Sequence, residues 1–171
     1  MMLRALTLSF AAVLLTSCDS PFEEMNFPSQ SMEPTIRAGS VVTVDTEAYE
    51  DAEPERFDIV VFVPPDAPES RYGFRLAGLP GEKVELADDG LRIDGALIKH
   101  PAGIVFQRSE LGQHTGAVLG EDEYFVLGDN TSNARDSRHF GPISRAAIYG
   151  EITKIEQDAV SYTHLTLPTK A

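Results

Sequence analysis

The feature that most constrains the fold is that apolar residues come in short runs of β-branched and aromatic side chains, with turn-forming residues between several of them. The runs are residues 41–44, 59–63, 84–86, 91–93, 124–127 and 148–155. Such residues favour strands, and Asp88-Asp89-Gly90 and Asp94-Gly95 predict hairpin turns because Asp and Gly tolerate positive φ. No helical periodicity of useful length is present. The pattern predicts an all-β fold, a compact barrel-like or sandwich domain of short antiparallel strands.

Length, charge and cysteine content limit the classes of function that the chain can have. The 171 residues suit one domain, and 14 Lys and Arg against 27 Asp and Glu give a formal net charge of -13. This balance argues against nucleic-acid binding, because phosphate contacts need basic side chains. The single cysteine excludes an internal disulfide and a cysteine-based zinc site. The acidic stretch 45–58 is expected to be a solvated loop, and neither a metal nor a cofactor is predicted.

The first 18 residues have the layout of an export signal. Arg4 precedes the apolar stretch 5–15, which is shorter than the ~20 residues that a membrane-spanning helix needs. Leu15-Thr16-Ser17-Cys18 resembles a bacterial lipobox, which implies cleavage before a lipidated Cys18 that anchors a domain formed by residues 19–159. By the same resemblance, Asp19 implies retention on the inner membrane. The alternative is a plain signal peptide, or an uncleaved short anchor, that happens to contain a cysteine.

The last twelve residues, 160–171, break the preceding pattern because they contain no acidic residue. They resemble a translated sequencing adapter. We predict that this segment is a non-native tail and leave it out of the functional reasoning.

Residues 27–36 contain two serines on a constrained piece of backbone. Pro28 and Pro34 fix φ on either side of Ser29 and Ser31, and such stiffness suits a positioned nucleophile. The alternative is a serine-rich turn that leads into a strand.

Three further stretches follow in order: residues 56–62, 75–82 and 128–142. With residues 27–36, they resemble the conserved boxes of bacterial type I signal peptidases in order and approximate spacing, over about residues 27–150. The resemblance implies an all-β catalytic domain, anchored in the membrane, that uses a serine and lysine dyad to cut signal peptides from exported preproteins.

The resemblance also implies roles for the two serines. Ser31 matches the nucleophile, and Ser29 matches the serine whose hydroxyl forms the oxyanion hole with the backbone amide of Ser31. A serine hydroxyl needs a base to take its proton and donors to stabilise the oxyanion. In this family the base is a lysine that burial keeps neutral.

The chain departs from the family at the base. The lysine should directly precede Arg75, but that position is Phe74, and the serine that hydrogen-bonds the lysine is replaced by Ala134. Because both ends of one hydrogen bond are missing, we interpret this as loss of the dyad and not as a shifted alignment. The remaining matched residues are expected to be structural supports: Arg75, Asp129, Asp136, Ser137 and Arg138.

No other residue is an obvious replacement base. The remaining candidates, which we expect to be solvated side chains, are Lys83, Lys99, His100, His114 and His139. Arg71 and Arg75 stay protonated and cannot serve. Loss of one member of such a catalytic unit costs roughly 10⁴ to 10⁶ in rate.

Two functions therefore stay open. The first is a membrane-anchored serine endopeptidase on the outer face of the bacterial inner membrane, which cleaves signal peptides from exported preproteins after small residues and is impaired by the missing lysine. The second is a degenerate peptidase that binds exported peptides or an assembly partner without cutting them. The retained serines favour the first, and Phe74 with Ala134 favours the second.

Overall fold

A computed structural model of the chain describes residues 20–108 and 113–157. The predicted export signal with Cys18 and the predicted tail 160–171 lie outside the described residues. No helix within these two ranges is both long and apolar enough to cross a bilayer.

Within these ranges the chain forms eleven strands, one short helix and one 3-10 turn. In chain order they are β1 (Phe22–Phe27), β2 (Ser40–Asp45), β3 (Ile59–Phe62), β4 (Tyr72–Gly78), β5 (Lys83–Ala87), β6 (Gly90–Ile93), β7 (Ala96–Leu97), β8 (Gly116–Val118), β9 (Glu123–Leu127), α1 (Ser137–Phe140), β10 (Ile143–Ser144), the 3-10 turn Arg145–Ala147 and β11 (Ile148–Glu156).

The strands form two sheets. The larger has seven strands in the order β1-β2-β11-β3-β4-β9-β10, and the smaller has four in the order β7-β6-β5-β8. Every neighbouring pair is antiparallel. The predicted all-β, antiparallel fold is confirmed.

Strand β9 joins the two hydrophobic cores, because successive side chains of a strand point to opposite faces. Tyr124 and Val126 pack in the first core, with Met32 and other residues of the larger sheet. Phe125 and Leu127 pack in the second core, with side chains of the smaller sheet. Because β9 packs in both cores, the segment that follows it begins at a rigidly held strand end.

The six predicted runs all form strands, and the two predicted turns are present. Asp88 and Asp89 connect β5 to β6, and Asp94 and Gly95, with φ of 50° and 85°, connect β6 to β7. In the segment 45–58, five of the seven acidic residues are exposed, as expected for a solvated loop, whereas Asp45 and Asp58 are half-buried. The structure adds five strands to these six runs: β1, β4, β7, β8 and β10.

Candidate active site

Ser29 and Ser31 lie in the loop between β1 and β2, directly after the buried Phe27. The Ser31 amide donates a hydrogen bond to Ser29 Oγ at 3.1 Å, and the Ser29 hydroxyl donates to Ser31 Oγ at 3.0 Å. Ser31 is buried, whereas Ser29 is exposed. The two hydroxyls and the Ser31 amide therefore form one compact cluster of polar groups.

The loop that carries Ser31 is anchored in the first core. Met32 and Ile36 are fully buried, and the Ile36 amide donates to the Met32 carbonyl at 2.9 Å. Asn130, which follows β9, holds the other side: its amide donates to the Ser31 carbonyl and its side chain donates to the Gln30 carbonyl, each at 3.0 Å. The position of Ser31 is thus set by side chains distant in sequence.

A buried ion pair ties β4 to the segment after β9. The Arg75 guanidinium donates to both carboxylate oxygens of Asp129, from Nε at 2.8 Å and from Nη2 at 2.7 Å. Arg75 also donates to the Phe57 carbonyl, and the Thr35 hydroxyl donates to Asp129. Because Thr35 belongs to the serine loop, this network joins three segments around Ser31.

A second buried ion pair holds the other end of the same segment. Arg138 donates to the two oxygens of Asp136 at 2.8 and 2.7 Å, and Asp136 accepts from the Gly128 amide at 2.9 Å. Ser137 Oγ accepts from the Val126 amide at 2.9 Å. These bonds fold residues 128–140 back onto β9.

Phe74 and Ala134 meet beside Ser31. A Cβ at Gly128 would lie 2.4 Å from Ala134 Cβ, 2.6 Å from the Ser31 carbonyl oxygen and 3.2 Å from Phe74 Cε1. Both Phe74 and Ala134 are buried. The two positions at which a lysine and a serine were expected are therefore adjacent in space, and they present a phenyl ring and a methyl group.

The cluster opens onto a cavity of about 580 Å³. Its apolar lining includes Met25, Phe27, Val42, Val61, Tyr72 and Phe74, and its polar lining comes mainly from residues 131–135 together with Ser29, Ser31 and His139. Of the described residues that line it, Arg71 and Arg135 are charged and none is acidic. Such a mixture of apolar walls and few polar groups is typical of ligand sites.

Two strand segments with an unpaired edge border this cavity. Within the described chain, β1 pairs only with β2. Residues 72–74 of β4 pair with β3, whereas the pairing of β4 with β9 begins at Arg75. An extended peptide between these edges could hydrogen-bond to backbone on either side.

The candidate replacement bases lie in different places. Lys83, Lys99 and His114 are exposed and lie outside the cavity lining, as expected of solvated side chains. That expectation is wrong for two histidines, His100 and His139. His100 is buried against Phe57 in the second core, because the loop that carries it folds over the smaller sheet. Burial, and then the nearby Arg75 charge, lowers its pKa.

His139 is half-buried and lines the cavity together with Ser29 and Ser31. The sequence placed it in the right motif, one residue after Arg138, but gave no sign that α1 turns towards the serines. Among residues 20–108 and 113–157, no three His, Cys, Asp or Glu side chains are grouped in a way that could hold a metal ion.

Comparison with known proteins identifies the family. A family model described as signal peptidase, peptidase S26 matches residues 2–155. Signal peptidase I V of Bacillus subtilis is 35% identical over 74% of this chain and 80% of its own length. Signal peptidase I of Bacillus caldolyticus is 31% identical over 84% of this chain and 85% of its own.

Two further relatives are matched over different shares of their length. A probable signal peptidase I-2 of Synechocystis is 31% identical, and the match covers 75% of this chain and 60% of that protein. A solved signal peptidase I from Enterococcus faecalis is 35% identical, with a TM-score of 0.49 over 59% of this chain and 97% of the solved chain. On the family match and the Bacillus relatives, the chain belongs to the signal peptidase family, peptidase S26.

Proposed function

We propose that this protein is a serine endopeptidase that removes signal peptides from exported preproteins, with Ser31 as its nucleophile. The observation that carries the proposal is the hydrogen-bonded pair of Ser29 and Ser31 at a cavity bordered by two unpaired strand edges. The family match and the signal peptidase relatives support the same reaction.

The substrate is an extended peptide that adds as a strand beside β1 and residues 72–74. Main-chain hydrogen bonds supply affinity without regard to sequence, and the cavity wall selects side chains. Next to Ser31 that wall consists of Phe74 and Ala134, which offer no polar partner. Small apolar side chains, such as those of an Ala-X-Ala cleavage site, fit such a wall best.

The chemistry is acyl transfer through Ser31. Its Oγ loses a proton to a base and bonds to the scissile carbonyl carbon, and the carbonyl oxygen takes up negative charge. The Ser31 amide and the Ser29 hydroxyl are the donors for this oxyanion, once it replaces the acceptors that they bond to here, Ser29 Oγ and Ser31 Oγ. The carbon–nitrogen bond then breaks as the amine takes a proton, and water hydrolyses the ester in the reverse sense.

The expected rate is low because the lysine is absent. A residual activity remains when one member of a catalytic unit is missing, since the oxyanion donors and substrate binding still act. We therefore propose turnover well below that of a peptidase with a complete dyad.

A lipid on Cys18 would hold the domain at the outer face of the inner membrane. Signal peptides reach the enzyme already inserted in the bilayer, so tethering raises the effective concentration of each partner for the other. This anchoring belongs to the proposal because Cys18 lies outside the described residues.

A second candidate function is peptide binding without cleavage, to an exported peptide or an assembly partner. The apolar contact of Phe74 with Ala134 and Gly128 favours it, because a wall without a base can still bind an extended peptide. Retention of Ser29 and Ser31 favours the peptidase, since a binding groove has no chemical need for either hydroxyl.

The test is cleavage of a preprotein with an Ala-X-Ala site by the full chain in detergent, beside its Ser31→Ala variant. Both proteins should give the same circular dichroism spectrum. We expect the wild type to release the mature protein slowly and the variant to release none. Binding of the preprotein by both, with no product from either, would support the second function and overturn the first.

A further inference from the structure

Among the residues that the structure describes, one side chain in the lining of the cavity beside Ser31 can act as a base near neutral pH. Its polar lining consists of hydroxyls, carboxamides, two arginines and one imidazole, that of His139. Arginine stays protonated, and hydroxyl and amide groups are not bases at this pH, whereas neutral imidazole is. Of the described lining residues, His139 is therefore the one that can act as a base.

The imidazole of His139 also lacks a partner. Its Nδ1 is buried and makes no hydrogen bond to any described residue. A buried polar atom without a partner costs about 1–3 kcal/mol, so its presence calls for an explanation, of which a catalytic role is one.

Hydrogen bonds hold the backbone of His139 and of the residues before it in place. Its amide donates to the Asp136 carbonyl at 2.8 Å, and the two preceding residues of α1, Ser137 and Arg138, are buried and hydrogen-bonded. A rigid support of this kind is what a general base needs in order to face its nucleophile.

The charged groups around the imidazole all have partners of their own. In the cavity lining, Arg71 pairs with Glu23 at 3.4 Å and Arg135 pairs with Asp66. On α1 itself, Asp136 and Arg138 neutralise each other. None of these four groups is available to take the serine proton.

We propose that His139 is the general base of this protein and takes the place of the missing lysine; this rests on the proposed function. The Ser31 proton passes to a ring nitrogen of His139, directly or through one water molecule, as Oγ bonds to the carbonyl carbon. The imidazolium then returns that proton to the leaving amine as the carbon–nitrogen bond breaks. The same exchange with water hydrolyses the ester and regenerates Ser31.

The experiment compares His139→Gln with wild type in single-turnover cleavage by the full chain. General-base catalysis contributes about 10² to 10⁴, so we expect the cleavage rate to fall at least 100-fold while peptide affinity stays within about threefold. His114→Gln is the matched control, since His114 is exposed and lies outside the cavity lining. It should cleave like wild type.

A second background separates a base from a structural support. Phe74→Lys with Ala134→Ser places an amine and its hydroxyl partner beside Ser31, so His139→Gln should cost little in that background.

Three outcomes overturn the inference, and they differ in what they leave standing. If wild type and His139→Gln cleave equally, the proposed function stands and His139 is not the base. If wild type is inactive but the lysine background cleaves, the site is competent and His139 cannot activate it. If neither cleaves although both bind the peptide, the proposed function fails together with the inference.

Discussion

At the scale of single residues, the joint presence of Phe74 and Ala134 has a physical reason. The two positions are adjacent through Gly128, and both are buried. A lysine opposite Ala134 would lose its hydroxyl partner, and a serine against the Phe74 ring would have none. An unsatisfied buried polar group costs about 1–3 kcal/mol. Apolar groups at both positions avoid that cost.

Gly128→Ala should disturb the site and the fold together. The added methyl would lie 2.4 Å from Ala134 Cβ and 2.6 Å from the Ser31 carbonyl oxygen, and the latter belongs to backbone that cannot easily move. Overpacking of this kind costs about 1–3 kcal/mol. We expect a lower free energy of unfolding in urea and loss of cleavage.

Gly120→Ala is the matched control for this change. A Cβ there would meet its nearest atoms, those of Glu123, at 3.5 Å or more, which is ordinary van der Waals contact. If the Gly128 and Gly120 variants unfold at the same urea concentration and cleave equally, the crowding around Ser31 is not as the structure describes it.

The part of this site that could be predicted from the sequence depends on residues close together in the chain. Pro28 and Pro34 flank Ser29 and Ser31, and this spacing is visible without a fold. The contact of Gly128 with Phe74 depends on how β4 and β9 pair, and local sequence does not contain it. For the same reason, the position of His139 in the cavity lining could not be predicted.

At the scale of elements, the segment after β9 organises the site. Asp129 bonds to Arg75 of β4 and to Thr35 of the serine loop, while Asp136 bonds to Arg138 and the Gly128 amide. Both carboxylates are buried and fully engaged. Polar residues are frequent in this segment because their ion pairs and hydrogen bonds hold the loop in place where there is little regular secondary structure.

Strand β11 carries a like-charge contact that should be testable by titration. Glu151 lies directly opposite Asp45 of β2. Burial is the main cause that raises the pKa of the Glu151 carboxyl, and Asp58 and Asp45 raise it further. The folded-state pKa then lies above the unfolded-state pKa. Ionised Glu151 therefore destabilises the fold above its folded pKa, and this cost disappears below the unfolded one.

Glu151→Gln should accordingly stabilise the protein at pH 7. Like charges opposite each other in a sheet cost up to about 1 kcal/mol, and we expect a gain of about 0.5 kcal/mol in the free energy of unfolding. The gain should vanish in acid, below the ordinary carboxyl range. Glu121→Gln, at an exposed position before β9, is the control. An equal gain at both pH values would contradict this explanation.

The alternation of apolar and polar residues predicts some of the strands and not others. In β2, buried Val42 and Val44 alternate with half-buried Val41 and Thr43, and that pattern is legible in the sequence. Strand β1 has the sequence FEEMNF and is mostly exposed. Its extended conformation therefore depends on its pairing with β2 and not on a pattern in its own side chains. Strands β7, β8 and β10 have two or three residues, too few to show a period.

At the scale of the whole molecule, charge is distributed unevenly. The chain carries a formal net charge of -13, yet none of the described residues that line the cavity beside Ser31 is acidic. The apolar walls of the cavity suit the small apolar side chains of the proposed Ala-X-Ala site better than a charged segment. The acidic exterior keeps the domain soluble beside the bilayer to which the proposed lipid would tether it.

The tether can be tested by mass spectrometry of protein extracted from bacterial membranes. If Cys18 is the lipid attachment site, the mature chain should begin at Cys18 and carry the mass of the added acyl groups. Cys18→Ser should abolish both the lipid mass and this cleavage. A wild-type chain that begins at Met1 with an unmodified Cys18 would contradict the anchoring proposal.

The central claim is that Ser31 cuts a bound peptide despite the absent lysine. Single-turnover cleavage, with the full chain in excess over a labelled Ala-X-Ala preprotein, tests it most directly because slow product release cannot hide the chemical step. We expect slow first-order release of the mature protein by wild type and none by Ser31→Ala at equal binding. Saturating binding by both proteins, with the preprotein intact after prolonged incubation, would contradict it.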